Sequence, residues 1–319
     1  MKAAIRRNYG SAEQIRIENI DAPIPKGDEV LIKVHATTVN RTDCANLTAK
    51  PFIMRLILGL VKPRKSIIGT DYAGEIIAVG KDIEHFNVGD RVMSFVDTGA
   101  ESQAEYLTAT AQHLFPIPEA IEYKMAAASL EGANYAYTFI HKVSLKPGQS
   151  ILIIGATGGI GSALLQFART FDVKITATAN TKNIALIQSL GADKVFDYTK
   201  EDFTKAPDTY DYIFDAVGKS TFGECKPKLK ENGVYISSEL GPYAQNIFYP
   251  LLTLKSNKKV IFPIPYSKQR TIPYISEMLA KGLFKPVIDR SYPLAQIAQA
   301  YAYVLKGKKT GNVVIEIPD

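Results

Sequence analysis

The stretch Ile151-Leu152-Ile153-Ile154-Gly155-Ala156-Thr157-Gly158-Gly159-Ile160-Gly161 decides the fold. Four apolar residues in a row read as a strand buried on both faces, and the glycines make a turn tight enough to open a helix at once. In that helix Leu164, Phe167, Ala168 and Phe171 recur at i, i+3, i+4 and i+7, the stripe that packs on a sheet. A glycine turn in this context aims backbone N–H groups and a helix N-terminus at a pyrophosphate without interference from Cβ atoms. The spacing is Gly-x-x-Gly-Gly-x-Gly rather than strict Gly-x-Gly-x-x-Gly, and Thr157, Gly158, Gly159 and Ile160 are expected at the phosphates.

Working outward, buried-strand patterns at 150–154, 174–178, 194–196, 210–214, 234–237 and 260–262, most with helical patterns between them, predict a doubly wound parallel sheet. About 20 residues past the turn, where an acidic residue would bind the ribose hydroxyls of NADH, stand Asn180, Thr181 and Lys182. With amide, hydroxyl and ammonium donors and no local carboxylate, the site is expected to favour NADPH over NADH. Lys182 also reads as the cap of a surface helix. Tyr198, after the third strand, is either a cover for the adenine ribose or a structural tyrosine. Val217 and Gly218, after the fourth, sit where a nicotinamide ribose would approach the backbone.

Before about residue 122 the pattern is different: short β-rich runs at 30–36, 75–79, 91–96 and 104–108, separated by turns at Lys26-Gly27-Asp28, Gly80-Lys81-Asp82 and Gly89-Asp90. This is an antiparallel region. A helix is expected at 126–141, further helices at 272–281 and 294–305, and a last strand at 313–317 that rejoins the first domain. The expected division is 1–122 with 267–319, and 123–266.

Composition bounds the rest. A length of 319 residues, 46% hydrophobic and 22% charged, fits a packed two-domain protein. Cys44 and Cys225, the only cysteines, exclude a disulfide framework or a four-thiolate zinc lobe, and a cytoplasmic location is expected. The basic start of the chain holds no apolar run ending in small residues, so no secretory signal is expected. The longest apolar stretch, 52–61, is interrupted by Arg55 and falls short of the roughly 20 residues a membrane span needs, so no integral membrane association is expected. The net charge of +6 is scattered, which favours an anionic small ligand over nucleic acid.

Taken with Gly69-Thr70-Asp71-Tyr72-Ala73-Gly74, Val88-Gly89-Asp90-Arg91-Val92 and Ala192-Asp193-Lys194-Val195-Phe196-Asp197-Tyr198, these motifs resemble the medium-chain dehydrogenase/reductase superfamily, and within it the zinc-free quinone oxidoreductase group. The resemblance implies an α/β protein with a GroES-like β-rich catalytic domain, a Rossmann domain, NADPH as cofactor, and a homodimer paired through strand 260–262. Where zinc-dependent members carry a Cys ligand, this chain has Asn40-Arg41-Thr42-Asp43, and Gly69-Thr70-Asp71 replaces Gly-His-Glu. No metal site is expected. Without a Lewis acid, hydride donation to an already electrophilic small molecule, a quinone or α,β-unsaturated carbonyl, is the expected reaction. Two rivals are a zinc-independent NADP-dependent alcohol or carbonyl dehydrogenase and a non-catalytic NADPH-binding sensor.

The resemblance puts Asn40 near the nicotinamide, as an amide donor, while the bare sequence reads it as a turn residue after a strand. Tyr135 stands where many relatives carry a threonine that touches the nicotinamide; it is either a phenolic donor lining the pocket or a core aromatic. Ile264 is placed at the carboxamide through its backbone. The stretch 50–65 borders the substrate cleft in the resembling family. It reads as a helix that simply packs, as a lid, or as a contact with anionic membrane surfaces through its basic end.

Overall fold

The computed structural model describes residues 1–318. The chain forms two compact units, Met1–Glu131 together with the chain from Lys268 on, and Gly132–Ser267.

The first unit starts with strands β1 (Lys2–Ile5) and β2 (Arg16–Asn19), an antiparallel pair the sequence reading did not foresee. Strand β3 (Glu29–Val39) is the long central strand; Val30, Ile32 and Val34 are buried while Glu29, Leu31, Lys33 and His35 are partly exposed, the period-2 pattern of a half-buried strand, and from Ala36 to Val39 it is buried on both faces. Helices α1 (Arg41–Thr48) and α2 (Met54–Leu58) follow. Strands β4 (Asp71–Val79), β5 (Arg91–Phe95), β6 (Tyr106–Thr110) and β7 (Phe115–Pro116) build an antiparallel sheet around β3. The 50–65 stretch does not pack as a helix. Only Met54–Leu58 is helical, and Leu58 is buried while Phe52, Ile53, Leu56, Ile57, Leu60 and Val61 are exposed.

The single helix expected at 126–141 is two, α3 (Tyr123–Ala127) and α4 (Glu131–His141). Between them Ser129 donates through N–H and Oγ to the carbonyls of Ala126 and Met125, closing a turn. The Glu131 N–H is then taken by the Asp71 carboxylate at 3.2 Å, which starts α4 afresh.

In the second unit, parallel strands β8 (Ser150–Ile154), β9 (Lys174–Ala179), β10 (Lys194–Asp197), β11 (Tyr210–Asp215), β12 (Leu229–Ser237) and β13 (Lys259–Ile261) lie in the order β10-β9-β8-β11-β12-β13. Helices α5 (Gly159–Arg169), α6 (Ile184–Ser189), α7 (Phe222–Cys225) and α8 (Gln245–Leu252) belong to its connections. This is the doubly wound order with its switch between β8 and β11, where ligands of such sheets bind at the carboxyl ends. Helix α9 (Lys268–Ala280) returns the chain to the first unit. There β14 (Ile288–Pro293), α10 (Ile297–Leu305) and β15 (Asn312–Glu316) follow, and β15 pairs antiparallel with β3. The last strand thus rejoins the first domain as the sequence predicts.

Candidate functional site

The glycines of the β8–α5 turn have separate causes. Gly155 has φ +79° and faces Val217, whose Cβ a side chain at 155 would meet at 2.7 Å. Gly161 lies against the Gly155 carbonyl, 2.2 Å from where a Cβ would stand. Gly158 differs: a Cβ there would have only the Gly155 oxygen nearby, at an ordinary 3.7 Å, and its φ of −79° suits any residue. The fold leaves room for a side chain and the sequence provides none. As the N-cap of α5, Gly158 brings no capping side chain, so the first amides of the helix receive no side-chain acceptor from the cap position. Thr178 Oγ1 accepts from Gly155 N at 3.1 Å and ties the turn to β9. Thr157, Gly159 and Ile160 are all partly exposed beside Gly158.

At the end of β9, Asn180 is partly exposed, yet its Oδ1 is buried with no hydrogen-bond partner, while Lys182 is exposed. The lack of a carboxylate expected around Asn180 does not hold in the fold. A carboxylate does lie here, supplied by the next strand: Asp197 accepts the hydroxyls of Thr181 and Thr199 and the Thr199 N–H, with Lys200 at 3.7 Å. Hydrogen bonds from Thr181 and Thr199 hold its pKa down to about 2. Its charge is compensated by these partners, and the Thr181 hydroxyl is spent on it. Tyr198 is 58% exposed and Ile264 68%, both open to a ligand's flank.

After β11, the buried Asp215 gathers the N–H groups of Val217 (3.1 Å), Gly218 (2.8 Å) and Ser220 (3.1 Å) and the Tyr235 hydroxyl (3.1 Å). Asp215 thereby fixes the loop that holds Val217 and Gly218, a role the sequence reading did not assign. Two more residues escaped that reading. Asn134, 1% exposed on α4 beside the partly buried Tyr135, has an unpartnered Oδ1, and so does the Oγ of Ser238 just past β12. A lone Asn or Ser carries no pattern that would have drawn attention to it.

In the first unit, Asn40 caps α1 in a reciprocal box: its Oδ1 accepts from Asp43 N and its N–H donates to Asp43 Oδ2, both at 2.9 Å. Its Nδ2 donates to Thr70 Oγ1 (3.0 Å) and Asp71 Oδ2 (3.2 Å). The amide is fully used inside the domain, so the capping role accounts for Asn40 without a substrate. Around it lie three buried carboxyls. Asp43 is pushed up to about 8 by burial. Burial, and then neighbouring carboxylate charge, raises Asp71 and Glu131 as well. Thr38 donates to Asp71 at 2.6 Å, and Thr42 donates to Glu131.

Among the described residues no group of three or more His, Cys, Asp or Glu is arranged to hold a metal ion. Burial also pushes the Cys44 and Cys225 thiols up to about 12, so neither is a ready thiolate ligand.

Residues 26–119 match the alcohol dehydrogenase GroES-like domain and residues 190–315 the zinc-binding dehydrogenase family. The chain is 32% identical to 2-methylene-furan-3-one reductase of Solanum lycopersicum, over 99% of this chain and 79% of that protein. It is 31% identical to the chloroplastic NADPH-dependent alkenal/one oxidoreductase of Arabidopsis thaliana, over 99% and 79%. In backbone it is similar to the quinone oxidoreductase of Coxiella burnetii, with a TM-score of 0.89 and 24% identity over 100% of this chain and 99% of that one, a likeness of fold.

Proposed function

This chain belongs to the medium-chain dehydrogenase/reductase superfamily, in its quinone-oxidoreductase-like branch, and from that premise we infer an NADPH-dependent, metal-free oxidoreductase that delivers hydride to a quinone or an α,β-unsaturated carbonyl. The observation that carries the reading is Gly158, a glycine the fold does not require, at the uncapped N-terminus of α5.

When bound, NADPH supplies the hydride, and the acceptor's own carbonyl makes its β carbon electrophilic. The amides of Gly159 and Ile160 would hold the pyrophosphate beside the bare Cα of Gly158, whose own N–H is given to the Gly155 carbonyl, and Asn180 and Lys182 would take the ribose phosphate. The Asp215 loop, which fixes Val217 and Gly218, would offer their backbone to the nicotinamide half, and Ile264 and Tyr198 would flank the cofactor. Tyr135 is the candidate hydrogen-bond donor to the enolate oxygen that hydride addition leaves, and Asn40 is a positioning residue that acts through the α1 cap. The test is NADPH consumption over enones, quinones and simple aldehydes, with NADH and a chelator as controls. Chelator-resistant turnover of enones or quinones is expected; turnover abolished by the chelator, or confined to alcohol oxidation, would overturn the reading.

The same reading includes a homodimer formed through β13. That strand is the edge of the parallel sheet, and Leu251 (71% exposed), Leu252 (73%) and Leu254 (67%) lie close by in sequence, apolar surface that a second copy would cover. Sedimentation of the wild type beside an Ile261→Pro variant checks it: the variant is expected to be monomeric, and a monomeric wild type refutes it. A cytoplasmic location is also part of the reading, supported by two buried cysteines that form no disulfide.

A further inference from the structure

The stretch 50–65, Lys50-Pro51-Phe52-Ile53-Met54-Arg55-Leu56-Ile57-Leu58-Gly59-Leu60-Val61-Lys62-Pro63-Arg64-Lys65, holds five cations and no acid. Scattered exposed apolar residues are ordinary on a protein surface, but here six large ones stand out within ten positions. Exposure reaches 71% at Phe52 and 82% at Val61, and Ile53, Leu56, Ile57 and Leu60 are all more than half exposed. Lys50, Lys62, Arg64 and Lys65, at the two ends of the stretch, are exposed as well.

The stretch is tied down rather than loose. Tyr9 Oη donates to the Gly59 carbonyl at 2.7 Å, Arg64 N to the Leu58 carbonyl at 2.8 Å, and the Arg55 guanidinium lies over the rings of Tyr9 (5.1 Å) and Phe52 (5.5 Å). Gly59, at φ +123°, is obligatory, because a Cβ there would stand 2.1 Å from the Lys62 carbonyl oxygen. Lys65 anchors the far end on the Gly99 carbonyl and Glu101. The domain therefore holds apolar side chains in water, at the cost of their exposure, with basic residues on either side.

We propose that this stretch docks the protein on an anionic phospholipid surface. Phe52, Ile53, Leu56, Ile57, Leu60 and Val61 enter the boundary between headgroups and acyl chains, while Lys50, Lys62 and Arg64 meet the lipid phosphates. The charge pattern selects this occupant: apolar side chains flanked by unopposed cations match an anionic bilayer, whereas a second copy would set like charges face to face. The stretch is too short to span, so the contact is peripheral and sensitive to salt.

The test uses the full-length protein and co-sedimentation with vesicles of phosphatidylcholine alone or mixed with phosphatidylglycerol. At least tenfold tighter binding to the mixed vesicles is expected, weakening as salt rises. A Phe52→Ser/Leu60→Ser/Val61→Ser variant and a Lys62→Glu/Arg64→Glu variant should each lose at least tenfold, with unchanged melting temperature and NADPH affinity as proof of intact folding. Equal binding to neutral and anionic vesicles, wild-type binding by either variant, or self-association that the triple variant abolishes would overturn the proposal. The vesicle result is independent of any turnover assay, so it stands or falls apart from the hydride-transfer reading.

Discussion

Gly155 and Gly161 are glycines because the chain around them leaves no alternative, whereas nothing in the fold itself requires one at Gly158. Gly158→Val is therefore expected to fold with a melting temperature within a few degrees of wild type and to lose NADPH binding by well over tenfold, since the branched side chain would fill the place proposed for the pyrophosphate. Calorimetric melting with a fluorescence titration checks both halves; wild-type NADPH affinity would remove the observation on which the cofactor site rests. The three glycines could be read from the sequence as a group, but which one serves the ligand could not. That depends on the Val217 side chain and the Gly155 carbonyl, which only folding brings into contact.

At the level of the element, α1 hangs on the Asn40–Asp43 box. Removing an N-cap side chain costs about 1 kcal/mol, and here a buried donor to Asp71 goes with it, so Asn40→Ala should cost about 1–3 kcal/mol. Turnover should fall only modestly, because the amide's partners are Asp43, Thr70 and Asp71 of its own domain. Urea unfolding beside steady-state kinetics tells the roles apart: unchanged stability with a hundredfold loss of kcat would restore Asn40 as a donor to the substrate. Elements built on local pattern, such as β8 and the last strand β15, were legible in sequence. The break between α3 and α4 was not, since it needs the Asp71 carboxylate, 60 positions away, to accept the Glu131 N–H.

For the whole molecule, the buried acids set the pH dependence of stability. Asp43 rises from an ordinary 3.8 to about 8, and Asp71 and Glu131 move in the same direction, mainly through desolvation. An acid with a raised folded pKa binds more protons folded than unfolded between its two pKa values. Its contribution is therefore complete below about pH 4 and is lost as pH rises towards 8, by about 1.4 kcal/mol per pH unit for each proton of difference. Carboxylates whose pKa is lowered, such as Asp197, act oppositely and lose their contribution only in strong acid. Melting temperature is thus expected to be highest near about pH 4 and to fall towards pH 8, with a shallower fall in Glu131→Gln, which removes one titrating group. A melting temperature that climbs from pH 5 to pH 8 would show that the cluster is ionised in the folded protein.

Local pattern in the sequence by itself was enough for the parallel sheet, the glycine turn and the return of the last strand to the first domain, because hydrophobic period and glycine placement act over a few residues. Tertiary structure alone decided the rest. It brought Asp197 to Thr181, closed the Asn40 amide on Thr70 and Asp71, gathered Asp43, Asp71 and Glu131 in one buried cluster, and left Phe52, Ile53, Leu56, Ile57, Leu60 and Val61 facing water. Burial and pairing across tens of residues are properties of packing, and no local pattern encodes them.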